Sequence, residues 1–455
     1  MKEKKVMIVF LSLIGLIPLG HAQSTSKPGS QEIGFQQIWS TVKKNASGLK
    51  AAEHEALATE IEATRYSRHW YPRLYLTGKA FITNDPGASF MYTLEQREIQ
   101  STDFSPSLLN DPKQQFFSQG TLGLDLPLFE GGVRVAQTKM GDKKAEAMEW
   151  AMKAQLFSHY SSAVQHYATL LSLIEEKGEL LSLRKSVQST IDRYRIGSRK
   201  NPVGYSGLLG LKNLRNRIDG LLSANEAKEQ MSRSELNALA LKLPKNWVPK
   251  PQRVQSFLSQ VFTSLRQQKS KNVKISAAVE AARKKAESLS YLKNAERSRF
   301  LPRVGLFAQG DLYSGSRSTA TSYSTGAYLQ WDLFSAKNLG SLDQAEHQSA
   351  AALSKAEELH HQMEGRYQAA LHGVDASEKS LILLDESAEL LRKQTKTARD
   401  LFKNGSINAL QLVEVLNRRA DLLLNRSKVE LELLQMKSMV FLTTARENND
   451  LGRSR

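Results

Sequence analysis

The sequence predicts an α+β membrane protein in which one unit of paired strands and long helical hairpins occurs twice. Three observations predict this class. Motifs recur in the same order in both halves of the chain, four segments alternate apolar and polar residues, and long proline-free stretches carry heptad spacing. We therefore expect each chain to contain four transmembrane β-strands and two coiled-coil hairpins.

The N-terminus predicts export. Lys2, Lys4 and Lys5 precede an apolar run shorter than the roughly 20 residues of a spanning helix, and small residues follow it. Residues 1–22 are therefore predicted to be a signal peptide, with an uncleaved anchor as the alternative. The 455 residues carry a net charge of +17 and no cysteine, so no disulfide forms. Export argues against nucleic acid as the basic chain's partner and favours anionic lipid or cargo, or simply a solvated surface.

Recurring motifs divide the chain into two copies. "SRHWYPRLYLTGKAF" (67–81) is echoed by "AERSRFLPRVGLFAQGDL" (295–312), and "LGLDLPLFEGGVR" (122–134) is echoed by "GAYLQWDLFSAKNLG" (326–340). Each copy reads helix, strand, loop, strand, helix, turn, helix. The predicted bounds are 23–250, with strands within 72–129 and a hairpin tip near 197–210, and 251–455, with strands within 302–334 and a tip near 405.

The four strands each place apolar side chains on one face and polar ones on the other. The apolar sets are Leu74, Leu76, Ala80 and Ile82; Leu122 to Leu128; Val304, Leu306, Ala308 and Leu312; and Ala327, Leu329, Trp331 and Leu333. About ten residues suffice for a tilted strand to cross hydrocarbon. We expect the apolar face to meet lipid and the polar face a wet lumen; hairpins on a soluble core are the alternative. Four strands cannot close a barrel, so other subunits must complete it.

Polar segments between the strands are predicted to be exposed loops, at 84–117 and 313–323. The first also contains Phe90, Met91, Tyr92, Phe116 and Phe117. It could form a plug or a packed loop, and a packed loop is favoured. Between the copies, residues 239–253 hold three prolines and are predicted to be an irregular link into a helix at 254–267, with a domain boundary as the alternative.

The helices are predicted to be long and to pack as coiled coils. Residues 133–196 lack proline, and as one helix they would be roughly 95 Å long at about 1.5 Å per residue. Leucines and other apolar residues recur there, and again from 381 to 423, at alternating spacings of three and four. Asn404-Gly405-Ser406 predicts a helix end followed by an N-cap.

The strand-to-helix junctions are predicted to be joints at the membrane boundary. In the first copy these are Pro72, Phe129 and the pair Gly131-Gly132, and in the second Pro302 and Phe334. Glycine permits the change from strand to helix without steric cost. The second joint lacks the glycine pair up to Leu339, so the two joints are expected to differ.

These motifs, together with "LFKNGSINALQLVEVLNRRADLLLNR" at the second tip, resemble the TolC-like outer membrane efflux proteins over nearly the whole mature chain. The resemblance implies a homotrimer whose subunits share a twelve-stranded barrel in the outer membrane. It also implies a helical periplasmic tunnel that docks a periplasmic membrane-fusion adaptor and an inner-membrane transporter. Such a protein is a conduit and not an enzyme.

The resemblance also implies roles at the tips. Acidic residues that ring the periplasmic entrance of the family fall at Gln411 and Glu414, counted from Gly405, so only one acid is kept. A tyrosine and an arginine that brace the closed state fall at Phe402 and Ile407, so that latch is expected to be missing. The first tip departs further, with Pro202, several basic residues and four glycines (Gly197, Gly204, Gly207 and Gly210). It predicts an unusual adaptor-facing tip, or else a flexible turn.

No constellation in the sequence predicts catalysis, a cofactor or a metal site. His159 and His166 lack the spacing and carboxylate of a zinc helix, and phosphate-loop and nucleophile motifs are absent. The competing functions are a periplasmic coiled-coil adaptor or scaffold without a pore, and an envelope hydrolase with a helical insertion. The alternating strands disfavour the first and the missing catalytic residues the second.

Overall fold

The elements follow the predicted order in both halves of the chain. The computed structural model describes residues 31–194, 202–262 and 275–445, and the predicted signal peptide lies outside them. The first half comprises β1 (Gln31–Ile33), α1 (Phe35–Asn45), α2 (Ser47–Ser67), β2 (Arg73–Thr83), α3 (Pro86–Glu95), α4 (Pro106–Asn110), β3 (Gln115–Glu130), α5 (Val133–Asp192), α6 (Pro202–Ala240) and β4 (Trp247–Pro249). The second comprises α7 (Val254–Val261), α8 (Ala277–Ser290), α9 (Leu292–Arg297), β5 (Arg303–Gly315), β6 (Thr319–Gln330), α10 (Ser341–Lys403) and α11 (Ala409–Thr444).

The four long strands form one antiparallel sheet in the order β2-β3-β5-β6. The two copies meet in its middle, where Thr121 of β3 pairs with Asp311 of β5. As predicted, the leucines share one face of the sheet, and they are exposed: Leu76 by 77% and Leu329 by 67%. Among the described strands, β2 and β6 each lack a partner on their outer edge.

The second loop of the sheet is much shorter than predicted. Strand β5 continues to Gly315 and β6 begins at Thr319, so only 316–318 turn between them instead of 313–323. Threonine is β-branched and suits a strand, although a run of Ser and Thr resembles a loop by composition. At its other end β6 stops at Gln330, so Trp331 and Leu333 of the predicted apolar face lie beyond the strand.

The first loop is folded rather than irregular. It contains α3, a 3-10 turn at Ser101–Phe104 and α4, and β3 begins within its predicted range, at Gln115. Asp85 caps α3 by accepting a hydrogen bond from the Ala88 amide at 2.7 Å, and proline occupies the first helical position. Phe117, at the end of this segment, is fully buried.

The main apolar core of the described residues is formed by helices from both halves of the chain. Phe35, Tyr167 and Phe257 contact one another with ring centroids 5.1 to 5.6 Å apart, and Phe441 of α11 joins the same cluster. Part of the predicted irregular link is here a strand, since β4 pairs in parallel with β1. The predicted helix at 254–267 ends at Val261, and residues 263–274 are not described.

Two helical hairpins, α5 with α6 and α10 with α11, form the helical body. The predicted heptad positions Leu180 and Val187 are fully buried in an apolar cluster that α6 and α11 complete. Helix α5 alone has 60 residues, which corresponds to roughly 90 Å at about 1.5 Å per residue. Among the described residues, none of the helices combines the length and apolarity that a membrane-spanning helix needs.

Candidate functional sites: strand–helix joints and hairpin tips

The first joint turns on two glycines with left-handed backbone. Gly131 has φ of +66° and Gly132 has φ of +85°, and α5 begins directly after them. A Cβ on Gly131 would lie 2.5 Å from the carbonyl oxygen of Ser298 in the second copy. Arg134 closes the joint by donating hydrogen bonds to the Glu130 carboxylate and to the His69 carbonyl oxygen. Gly131 therefore marks a close contact between the two copies.

The second joint is more like the first than predicted. Gly340 precedes α10 with φ of +79°, so it occupies the place that Gly132 has before α5. A 3-10 turn at Ala336–Asn338 separates it from Phe334, whose side chain is 78% exposed. The expected lack of a glycine pair is correct for 331–339, but the left-handed residue simply comes later in the chain.

Pro72 and Pro302 occupy equivalent places in the two copies. Each follows a 3-10 turn and directly precedes the first residue of a strand, β2 or β5. Proline is tolerated there because the first residue before a ladder need not donate a hydrogen bond. Phe129 is the penultimate residue of β3 and is half exposed. The role of these residues as membrane-boundary joints stays a prediction.

The second tip is a tight turn that ends α10 at a left-handed glycine. Gly405 has φ of +75°, and the amides of Gly405 and Ser406 donate to the carbonyl oxygens of Phe402 and Leu401. The N-cap of α11 is Asn408 and not Ser406 as the sequence suggested. Its side chain accepts from the Gln411 amide at 3.0 Å, and Gln411 Oε1 accepts from the Asn408 amide at 3.0 Å.

The predicted entrance residues are thus both engaged within their own helix. Gln411 closes the capping box of α11. Glu414 Oε1 accepts a hydrogen bond from Arg418 Nε at 2.9 Å, and both side chains are 60% exposed. Such an exposed pair contributes little to stability, on the order of 0.5 kcal/mol, but it places a positive charge beside the one acid that is kept.

Phe402 and Ile407 make apolar contacts in place of a polar latch. The Phe402 ring stacks on Tyr194 with centroids 6.0 Å apart and planes inclined by 14°. Ile407 packs against the apolar cluster that α5, α6 and α11 share near the tips. Tyr194 in turn donates a hydrogen bond to the Gly204 carbonyl oxygen at 2.7 Å.

The glycines after the first tip have a packing role that the sequence did not reveal. They lie within α6, a regular helix from Pro202, whereas residues 195–201, including Gly197, lie outside the described residues. A Cβ on Gly207 would lie 2.4 Å from Ala409 Cβ, and one on Gly210 would touch Val413. Gly207 and Gly210 therefore face α11 from within a regular helix, and the adaptor-facing role of the first tip stays a prediction. Gly204, Gly207 and Gly210 recur every three residues, close to one helical turn, and this spacing was the signal in the sequence for a close contact between helices.

Polar pairs also join the two hairpins. Arg217 of α6 donates to Asn417 at 3.1 Å and pairs with Asp421, both on α11. Arg419 of α11 pairs with Glu179 of α5 at 3.1 Å. In the halves nearest their tips, the hairpins of the two copies are therefore held together by ion pairs and a hydrogen bond as well as by apolar packing.

The carboxyl group of Glu430 is buried in the helical body, farther from the hairpin tips. Glu430 of α11 is 2% exposed, with Arg426 Nη1 at 2.9 Å and the Ser172 hydroxyl at 3.2 Å. Burial raises the pKa of Glu430, and Arg426 opposes that shift. Arg426 also bonds Asp385 of α10 at 2.7 Å, so this cluster ties three helices together. Within the described ranges, no group of three His, Cys, Asp or Glu residues could hold a metal ion.

Three features occur in both copies: strands with one exposed apolar face, a coiled-coil hairpin, and a glycine joint that connects strand to helix. Together they define a structural class of protein. In proteins of this class, a sheet with one exposed apolar face continues into a long helical body. Residues 272–438, most of the second copy, match the family model of the outer membrane efflux proteins. No curated protein matches the chain in sequence.

Solved structures of outer membrane and channel proteins share this fold. CusC is 13% identical, with 93% of this chain and 99% of that chain covered and a TM-score of 0.73. VceC of Vibrio cholerae is 14% identical, with coverage of 90% and 95% and a TM-score of 0.70. MtrE of Neisseria gonorrhoeae, an outer membrane channel solved in its open state, is 13% identical, with coverage of 90% and 88% and a TM-score of 0.70. The comparisons confirm the predicted resemblance to TolC-like outer membrane efflux proteins and the α+β fold class.

Proposed function

We propose that the protein is the outer membrane channel of a tripartite efflux or type I secretion system. It conducts cargo passively from periplasm to exterior, and an adaptor opens it by rearranging the hairpin tips. Its partners are two further copies of itself, a periplasmic membrane-fusion adaptor, an inner-membrane transporter and outer membrane lipid, with no role for nucleic acid. It carries out no chemistry and needs no cofactor.

The sheet carries this proposal. Its leucine face is exposed, its opposite face is polar, and both edge strands have unpaired backbone groups. Backbone groups left unpaired in hydrocarbon cost several kcal/mol each, so a sheet of this kind is stable in a membrane only when it closes. Three copies closing edge to edge would give the twelve-stranded barrel and the helical tunnel below it.

A pore-less periplasmic adaptor is the competing function. It would have to cover the leucine face with protein, and no described element of the chain lies over Leu76 or Leu329. It also predicts a protein that stays in solution without detergent. The matched family of outer membrane efflux proteins gives that alternative no support.

The entrance should select cations only weakly if the tips gate the channel. Gln411 is neutral and its side chain is engaged in the capping box of α11, and Glu414 is paired with Arg418. A carboxylate ring attracts cations, whereas a ring of carboxylate–guanidinium pairs carries no net charge.

Purified, detergent-solubilised protein added to a planar bilayer tests the function. We expect long-lived conductance steps from a trimer and a reversal potential near zero in a salt gradient. R418Q should free Glu414 and shift the reversal potential toward that of cations. R392Q, which removes an exposed arginine from a pair on α10, is the matched control. A protein that is monomeric without detergent and gives no discrete steps would contradict the channel.

A further inference from the structure

The segment between β2 and β3, residues 84–114, packs on one face of the sheet and is here called the lid. The Tyr92 ring of α3 lies 4.9 Å from Phe81, 5.4 Å from Phe117 and 6.0 Å from Tyr313, measured between centroids. Its hydroxyl donates a hydrogen bond to Gln119 Oε1 at 2.9 Å. Arg97 of the lid also donates a hydrogen bond to the Thr321 carbonyl oxygen of β6 at 2.8 Å. The lid thus contacts all four strands, at the end of the sheet farthest from the joints.

The face that the lid covers is the polar one. Phe117 and Gln119 alternate with Phe116 and Leu122, so they share the side of Thr121 and Asp311. Phe116 on the other side is 54% exposed, while Phe117 is fully buried. If the leucine face meets lipid, a segment packed on the opposite face lies inside the barrel and not above it.

A polar clasp ties the lid to the turn between β5 and β6. Arg317 donates two hydrogen bonds to the Asp103 carboxylate, at 2.5 and 2.6 Å, and a third to the Glu98 carbonyl oxygen at 2.9 Å. The buried Gln96 side chain accepts from the Arg317 and Ser318 amides at 3.1 and 3.2 Å. A bidentate carboxylate–guanidinium pair is among the stronger and more directional protein contacts.

Four large apolar side chains of the lid are left partly exposed by the rest of the described chain. They are Met91, Leu94, Phe104 and Leu108, each between 43% and 58% exposed. Inside a barrel these residues can face only the remaining lumen or the lids of the other subunits. Apolar constrictions in channels restrict passage by expelling water.

We propose that the lid is an internal gate at the outer mouth, in which three apolar lids narrow the lumen and the Asp103–Arg317 clasps hold them closed. This inference rests on the proposed channel function. The gate acts at the opposite end of the conduit from the hairpin tips, so it limits what enters from outside independently of the adaptor.

The clasp is built to withstand acid. The hydrogen bonds from Arg317, and then the one from the Gln100 amide, lower the pKa of Asp103 from its ordinary 3.8 to about 2. A carboxyl group whose folded pKa is depressed stabilises the fold above its unfolded pKa, and that stabilisation is lost as pH falls through the folded value. The clasp should therefore stay closed in weakly acidic surroundings and release only near pH 2.

Cysteine labelling on intact cells tests the gate, because the chain has no native cysteine. S316C lies on the exposed turn outside the lid, and S324C lies deeper on the polar face of β6. A membrane-impermeant maleimide carrying a poly(ethylene glycol) chain should label S316C quickly and S324C slowly. R317Q should speed labelling of S324C about tenfold, the change that ~1.4 kcal/mol produces in an equilibrium, and leave S316C unaffected.

The matched variants separate the gate from misfolding. D103N breaks the same clasp with an isosteric side chain and should give the same increase, while the exchange D103R/R317D should restore slow labelling. R392Q, far away on α10, should change neither rate. Equal labelling of S324C with and without the clasp would overturn the gate. If neither cysteine labels on intact cells but both label after permeabilisation, the proposed outer membrane channel itself is wrong.

Discussion

At the scale of single residues, Gly207 sets how closely α6 and α11 approach near the tips. A methyl group there would lie 2.4 Å from Ala409 Cβ, whereas one on Gly220, in the same helix, would meet open space. We expect G207A to lower the free energy of unfolding by about 1–3 kcal/mol through overpacking. G220A should raise it by about 0.5–1 kcal/mol, because alanine favours the helix. Thermal loss of helical circular dichroism measures both, and equal midpoints for the two variants would contradict the close contact.

The buried pair Arg426–Glu430 predicts unequal effects of removing its two members. R426M leaves the Glu430 carboxylate buried without a counter-charge, which should cost about 3–5 kcal/mol. E430Q should cost little, because Arg426 keeps Asp385. Burial raises the pKa of Glu430, so its contribution weakens as pH rises above the ordinary carboxyl range, and E430Q should remove that decline. Denaturation of both variants across weakly acidic to neutral pH measures this, and the reverse order of costs would sink the interpretation.

At the scale of elements, the two joints share a backbone conformation but differ in their surroundings. G340A should cost about 1–2 kcal/mol, the price of a left-handed alanine. G131A adds a clash with the Ser298 backbone and should cost several-fold more, seen as a loss of folded protein in the outer membrane fraction. Comparable yields of the two variants would show that the contact between the copies has little energetic weight.

The long helices and the strand faces could be predicted because their signals are local. Leu180 and Val187 recur within a few residues of one another, and so do Leu74 and Leu76. The lid and the pairing of β1 with β4 could not be predicted in the same way. Gln31 pairs with Trp247, and Asp103 with Arg317, across more than two hundred residues. Only the folded chain brings such partners together.

The tips show the same division between local and distant signals. The left-handed turn at Gly405 follows from neighbouring residues and was predicted. The role of Gly207 was missed because its partner, Ala409, belongs to the other copy. By resemblance Gln411 falls at an entrance position of the family, whereas its capping bond to Asn408 depends on where α11 begins. A shift of two residues in the N-cap changed the chemistry assigned to that side chain.

At the scale of the whole molecule, an uncovered apolar stripe on α10 predicts how the proposed trimer holds together. Ile382, Leu383 and Leu390 are each at least 60% exposed in the isolated chain. Burying one such leucine between subunits stabilises by about 2 kcal/mol, and an aspartate there would reverse that gain. L383D should therefore shift detergent-solubilised trimer toward monomer in light scattering after size-exclusion chromatography. K396E, at an exposed polar position of α10, should leave the trimer intact, and a trimeric L383D would exclude this stripe from the interface.

The two open strand edges have a consequence for inheritance. In the proposed trimer, β2 of each subunit meets β6 of the next, so one subunit with a damaged edge spoils one of the three seams and leaves the barrel open. When intact and damaged subunits are produced equally and mix at random, only about one trimer in eight contains no damaged copy. Mutations in β2 or β6 should consequently be dominant over the wild-type gene, whereas mutations that merely prevent a subunit from folding should be recessive.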